Sequence, residues 1–116
     1  MRRIEKPWGH EEIFAHTDRY VGKVLVIEAG KRLSLQYHRE KDEAFYLQEG
    51  RLRFTSERDG KLLEEDVRPG EARHIPAGHR HRFEALERCV LFEVSTTELD
   101  DVVRLDDDFG RAGGAG

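Results

Sequence analysis

The sequence holds one cysteine, one tryptophan, one methionine and three prolines in 116 residues. The single thiol, Cys89, excludes an intrachain disulfide framework and a thiolate zinc cluster. No apolar stretch approaches the ~20 residues that a membrane-spanning helix needs. Cations are not in excess either. Lys and Arg number 20 against 24 Asp and Glu, a net charge of −4, so the basic surplus of a nucleic-acid binder is missing. Met1-Arg2-Arg3 leads into Ile4-Glu5-Lys6-Pro7 rather than an apolar run. A secretory signal is therefore not expected, and the expected location is cytoplasmic. The length suits one domain that buries its core without covalent staples. With 37% hydrophobic and 38% charged residues, that core must be economical and the surface densely charged.

What remains reads as short strands between turn signals. Candidate strands are Tyr20 to Glu28, Leu33 to His38, Glu43 to Gln48, Arg51 to Ser56, Leu62 to Val67, Ala72 to Ile75, His81 to Leu86 and Cys89 to Ser95. Arg58-Asp59-Gly60-Lys61 carries the Asp-Gly signature of a tight hairpin. Eight short strands at such spacing predict an all-β sandwich or barrel. One segment, Thr97 to Leu105, is expected to be helical. Glu98, Asp100 and Asp101 suit a first turn, and Leu99, Val102, Val103 and Leu105 supply an apolar side. The Gly-rich run at 112–116 is expected to be a flexible tail behind a domain of residues 1–111.

Several polar residues occupy positions where a half-buried strand should be apolar. A period of two puts Ser34, Gln36 and His38 on one face. Glu43 shares a face with Phe45 and Leu47, and His81 shares one with Phe83. A carboxylate on an apolar face is costly unless it is paired or bound to metal. Oxygen from Gln36 and Glu43 with imidazole from His38 and His81 makes a mixed N/O site for a divalent first-row metal.

The segment Gly30-x5-Gln36-x-His38-x4-Glu43-x6-Gly50 resembles the first cupin motif, with Gln in place of its first His. Gly70-x5-Pro76-x-Gly78-x2-His81 resembles the second, with Ala85 where Asn usually closes it. The resemblance implies a small antiparallel jelly-roll barrel with Gln36, His38, Glu43 and His81 as metal ligands. It extends further, to the cupin domain of type II phosphomannose isomerases. Lys6-Pro7-Trp8-Gly9 resembles their Arg-Pro-Trp-Gly, and Leu33-Ser34-Leu35-Gln36-x-His38 their Leu-Ser-Leu-Gln-x-His. Asp100-Asp101-Val102-Val103-Arg104, with Asp107-Asp108-Phe109-Gly110-Arg111, resembles their closing segment. Phe109 stands where that family has Tyr, and Ala44-Phe45 where it commonly has His-Trp. Many members carry a guanylyltransferase domain ahead of the cupin. No such domain is present in this sequence, so nucleotidyl transfer is not expected. The resemblance also implies a homodimer.

Aldose–ketose isomerisation needs a Lewis acid near vicinal oxygens and a base able to reach a carbon-bound proton. Glu93, in an otherwise apolar strand, either faces the cavity as that base or sits on the outer face. Lys23 alternates with Leu25 and Ile27, so it points into the barrel or marks an exposed strand end. A cavity-facing Lys23 would take a catalytic or substrate-binding place. Arg104 either binds a sugar phosphate through its guanidinium fork or pairs with a carboxylate. Trp8 is expected to pack against the barrel edge, and His10, His16 and His79 to be solvated. A neutral Gln36 oxygen favours Zn²⁺ or Mn²⁺ over an iron oxygenase centre, with Fe, Ni and Co still open. Three readings follow: a sugar-phosphate isomerase of the mannose-6-phosphate type, a small metal-dependent dioxygenase, or a non-catalytic sugar-binding cupin. Fold alone does not separate them.

Overall fold

The Asp-Gly hairpin forms as its residues dictate. Asp59 and Gly60 take φ of 51° and 77°, the left-handed pair of a two-residue turn, and Arg58 faces Lys61 across it. The computed structural model describes residues 1–113. Its strands are β1 (Arg2–Lys6), β2 (Gly9–His16), β3 (Val21–Ile27), β4 (Leu35–Tyr37), β5 (Glu43–Glu49), β6 (Leu52–Arg58), β7 (Lys61–Val67), β8 (Ala72–Ile75), β9 (His81–Ala85), β10 (Cys89–Ser95) and β11 (Val103–Asp106). A six-stranded sheet runs β1-β2-β3-β10-β5-β8 and a five-stranded sheet β11-β4-β9-β6-β7. All pairings between strands are antiparallel. The two inner faces enclose a core that includes Leu47, Leu52, Leu91 and three aromatic rings. Phe45 meets Phe54 at 5.0 Å and Phe83 at 4.9 Å, both edge to face, an arrangement that aromatic quadrupoles favour.

Trp8 is buried in that core, as expected of a packing residue. The strands around it, β1 and β2, are additions to the sequence reading. Gly9 between them has φ of +153°, and a Cβ there would lie 2.0 Å from the Val26 carbonyl oxygen, so only glycine lets the chain pass.

No helix forms at Thr97 to Leu105, which corrects the helical expectation. Two long-range interactions overrule the local pattern. The Asp101 carboxylate accepts hydrogen bonds from the N–H groups of Arg39, Glu40 and Lys41 at 2.9, 2.7 and 2.9 Å. Val103 and Arg104 then pair with Tyr37 and Gln36 of β4. Beyond β11, Arg111 grips the Asp107 carboxylate with two N–H donors at 3.0 Å each. The Gly113 N–H donates to the Arg104 carbonyl at 2.6 Å. Of the tail expected at 112–116, residues 114–116 lie outside the described residues. No helix among the described residues is long and apolar enough to cross a membrane.

Candidate metal centre and cavity

His38 follows β4, while Glu43 and His81 open β5 and β9. The fold brings these three together at one end of the barrel, exposed by only 3%, 4% and 1%. One ligand atom from each lies within 4.8 Å of the others. Both imidazoles are oriented by main chain. His38 Nδ1 meets the Asp101 carbonyl, and His81 Nδ1 meets the His79 carbonyl at 2.9 Å. Carbonyls accept only, so these contacts put a proton on each Nδ1 and turn each Nε2 toward Glu43, where it is a lone pair in the neutral ring and a donor to the carboxylate in the protonated one. The two Nε2 atoms converge on the same Glu43 Oε1, at 2.9 Å and 3.2 Å. His81 Nε2 is buried and makes no hydrogen bond of acceptable geometry despite that approach. Lone pairs aimed together in a dry place call for a cation, and two imidazoles with a carboxylate suit a divalent first-row metal. The residues fit such an ion.

The other predicted residues surround a cavity of about 170 Å³ beside this trio. Gln36 is the cross-strand partner of His81 and lines the cavity with His38 and Glu43. Its Oε1 accepts the Ser34 hydroxyl at 2.8 Å, which fixes the amide's orientation. Lys23 and Glu93 are opposite each other on β3 and β10, buried on the inner face, in one row with Ile13 and Phe45. Lys23 Nζ is 3.5 Å from Glu11 Oε2. Arg104 lines the mouth from β11, opposite Gln36. Its Nε is buried without a hydrogen-bond partner, and no ion pair forms at its guanidinium among the described residues.

Burial dominates the charges here and neighbours decide its outcome. Burial pushes the Glu93 carboxyl up to about 8, and the Glu43 charge adds to this against Lys41 and Lys23. Burial would also raise Glu43, but contacts with His38, His81 and Lys41 outweigh it and hold the carboxyl well below its usual range. Lys41 loses hydration too, yet Glu43, Glu93, Glu11 and Asp101 keep its ammonium above its ordinary value.

Lys41, Glu11 and Asp101 were not singled out for these places from sequence. Lys41 is buried with Nζ 3.7 Å from Glu43 Oε2. Glu11 occupies the inward position of β2 between Gly9 and Ile13, where alternation could have exposed it. For Asp101 no local signal exists, because its partners lie about 60 residues away in the chain.

The family model described as mannose-6-phosphate isomerase C-terminal matches residues 1–107. A mannose-1-phosphate guanylyltransferase of Escherichia coli is 33% identical over 115 residues, covering 95% of this chain and 23% of that protein. The xanthan biosynthesis protein XanB of Xanthomonas campestris is 29% identical over 115 residues, covering 95% of this chain and 24% of that protein. The chain thus spans about a quarter of the length of these curated relatives. Among solved structures, KdgF from Halomonas superposes with a TM-score of 0.75 at 20% identity, covering 86% of this chain and 91% of that one. A Bacillus subtilis oxalate decarboxylase variant gives 0.78 at 18% identity, covering 90% and 30%. CapF of Staphylococcus aureus gives 0.77 at 21%, covering 90% and 31%. At such identities these likenesses establish the fold, a cupin jelly roll. Taken with the match along nearly the whole chain, they lead to one conclusion: the chain belongs to the mannose-6-phosphate isomerase C-terminal family.

Proposed function

We propose that this domain is a metal-dependent aldose–ketose isomerase acting on a mannose-6-phosphate-like sugar phosphate. The observation that carries the reading is one cavity lined by lone-pair donors, a buried carboxyl and a cation without an acid partner. A divalent ion held by Gln36, His38, Glu43 and His81 would supply Lewis-acid polarisation of vicinal sugar oxygens. Zn²⁺ or Mn²⁺ suits these neutral and hard donors, with Fe, Ni or Co as substitutes. Glu93 is the carboxyl that takes a proton from one sugar carbon and returns it to the neighbouring carbon, with no net change in protons. Lys23 and Arg104 are the cations available to the substrate's anionic groups. Lys23 also balances Glu93 across the sheet, so the carboxylate is not left alone in a dry cavity. The family description supports this chemistry. The guanylyltransferase named for the relatives belongs to proteins about four times longer.

A panel of aldose phosphates with metal-loaded protein tests the reading. Mannose 6-phosphate should interconvert with its 2-ketose. Glu93→Gln should lower kcat by roughly 10²- to 10⁴-fold with metal content unchanged, since that is the usual worth of a positioned base. A wild type that converts no aldose at saturating metal would replace the enzyme by a sugar-phosphate-binding module.

A further inference from the structure

We infer that the outer face of the six-stranded sheet is the docking surface for a second copy of this chain, with Phe92 of β10 and Tyr46 of β5 at the centre of the contact.

The two sheets present opposite chemistry to solvent. Side chains next to the buried inward positions point outward, and cross-strand partners share a face. On the five-stranded sheet the outward positions are dense with charge. Arg53 of β6 stands between Glu84 of β9 and Asp66 of β7. Its guanidinium lies 3.6 Å from Glu84 and 3.7 Å from Glu64. Such a face is what a chain with 38% charged residues leads one to expect. On the six-stranded sheet the corresponding row runs Val24, Phe92, Tyr46, Ala72 across β3, β10, β5 and β8. Beside it, Val94 stands between Gly22 and Ala44. Neither run contains an acid, a Lys or an Arg. The rings on this face are set in place. Tyr46 and Phe92 stack at 6.2 Å with 8° between their planes. Phe14, where β2 bulges, lies over Gly22, and a Cβ there would come within 2.6 Å of its ring. Four large apolar side chains still remain open, Phe14 by 50%, Phe92 by 40%, Tyr46 by 41% and Val94 by 56%. At roughly 150–250 Å² per aromatic side chain, together they expose about 300–400 Å². A patch of that size marks a contact site, and it is close to half of the about 800 Å² that each partner gives to a standard interface. Val24 and Val90, partly buried on the same face, extend it.

A second copy fits this face better than a charged partner does. The centre of the face holds no fixed charge that needs an opposite one across it. Each copy carries −4, yet two copies brought together here set no like charges against each other at that centre. The face also has relief that can meet itself. The Tyr46 and Phe92 rings stand beside the low positions Ala44, Ala72 and Gly22, so a two-fold axis lays the rings of one copy over the small residues of the other. The two sheets then pack face to face about 10 Å apart, as in a sandwich. At the margins, His10 lies 3.5 Å from Glu12 on β2, and His74 of β8 lies 2.7 Å from Asp42. These pairs give the apolar centre the polar rim of an interface.

Sedimentation equilibrium of the full chain, from about 1 to 100 µM, is the test. Wild type should be a dimer over the upper part of that range. Phe92→Lys should raise the dimer dissociation constant roughly 100-fold or more, because it places like charges together across the axis. Val94→Glu, at the most exposed of the four positions, should do the same. Tyr46→Ala should weaken the dimer by roughly 10-fold. Leu62→Lys, a comparably exposed position on the outer face of the five-stranded sheet, should leave the dimer intact. Circular dichroism shows which variants keep the fold. Should Phe92→Lys fail to fold, Val94→Glu and Tyr46→Ala give the same reading. A wild type that stays monomeric at about 100 µM overturns the second copy and leaves the face to a different protein. A dimer that survives the substitutions at Phe92, Val94 and Tyr46 in folded protein forms elsewhere and overturns the face. Isomerase activity plays no part in these measurements, so their outcome stands apart from the proposed reaction.

Discussion

The two ends of the barrel are built from the same strands and could hardly differ more in chemistry. On β5 the inward positions run Glu43, Phe45, Leu47; on β10, Ser95, Glu93, Leu91, Cys89; on β9, His81, Phe83, Ala85; on β3, Lys23, Leu25, Ile27. Along each strand the ionisable inward side chains lie toward one end and apolar ones fill the other, with Ser95 and Val21 lying beyond Glu93 and Lys23. The apolar end stabilises through burial, at roughly 25 cal/mol per Å² of apolar surface removed from water. The polar end holds charges whose desolvation their mutual attraction barely offsets. One end holds the fold together, and the other uses that rigidity to keep lone pairs and charges in places they would not choose. Substitutions at the two ends should therefore fail in opposite ways.

The largest effect on stability belongs at the apolar end. Leu47 is fully buried in β5 against the core and lines no part of the cavity. Leu47→Ala should cost about 3–5 kcal/mol, the transfer loss plus the cavity left behind. Urea unfolding measures it, and metal uptake below the transition should stay at the wild-type level. A loss under about 1 kcal/mol, or one accompanied by lost metal binding, would break the division between the ends.

Between the two ends in magnitude comes Asp101, which touches no apolar core. Its carboxylate gathers three main-chain N–H groups of residues 39–41, and its carbonyl orients His38. Asp101→Ala should cost about 1–3 kcal/mol from unsatisfied donors. It should also weaken metal affinity by roughly 10- to 100-fold, because the imidazole loses its support. Chelator competition reads the second effect, and Asp101→Asn, which keeps one acceptor oxygen, should fall between. Metal affinity unchanged in a folded Asp101→Ala would reduce this residue to a loop brace.

The two ends were also unequally legible in the sequence. Apolar alternation announced β3, β5, β6, β9 and β10, because their inward residues are mostly hydrophobic. The same alternation in β2 went unread, since one of its inward residues is Glu11, a charge satisfied only by Lys23 and Lys6 from other strands. His38, Glu43 and His81 stood out because motif spacing carries them, and the structure brings them together. Lys41 stands in a polar stretch with no apolar alternation to mark it for burial, and its main-chain N–H is held by Asp101 from far along the chain. The segment Thr97 to Leu105 had helical local chemistry, but its acids and apolar residues serve long-range contacts instead. Local pattern therefore reports the apolar end well. It reports the polar end only where a motif happens to record it.

The smallest effect concerns the thiol at the bottom of the apolar end. Cys89 is fully buried, and its Sγ donates to the Arg51 and Glu87 carbonyls at 3.3 and 3.2 Å. Burial pushes the thiol up to about 11, with the Glu87 charge adding and the Arg51 contact opposing. A thiol whose folded value is raised favours the folded state while it is protonated. That contribution is complete below the ordinary value near 9 and is lost as pH rises through about 11. Cys89→Ala should thus show a shallower loss of stability than wild type between pH 9 and 11. At pH 8 an aromatic disulfide should leave the native thiol untouched and label it promptly in urea, since only the thiolate attacks. Parallel pH profiles for the two proteins, or rapid labelling of the native state, would show that water reaches this end of the barrel and that the contrast with the polar end is weaker than its side chains imply.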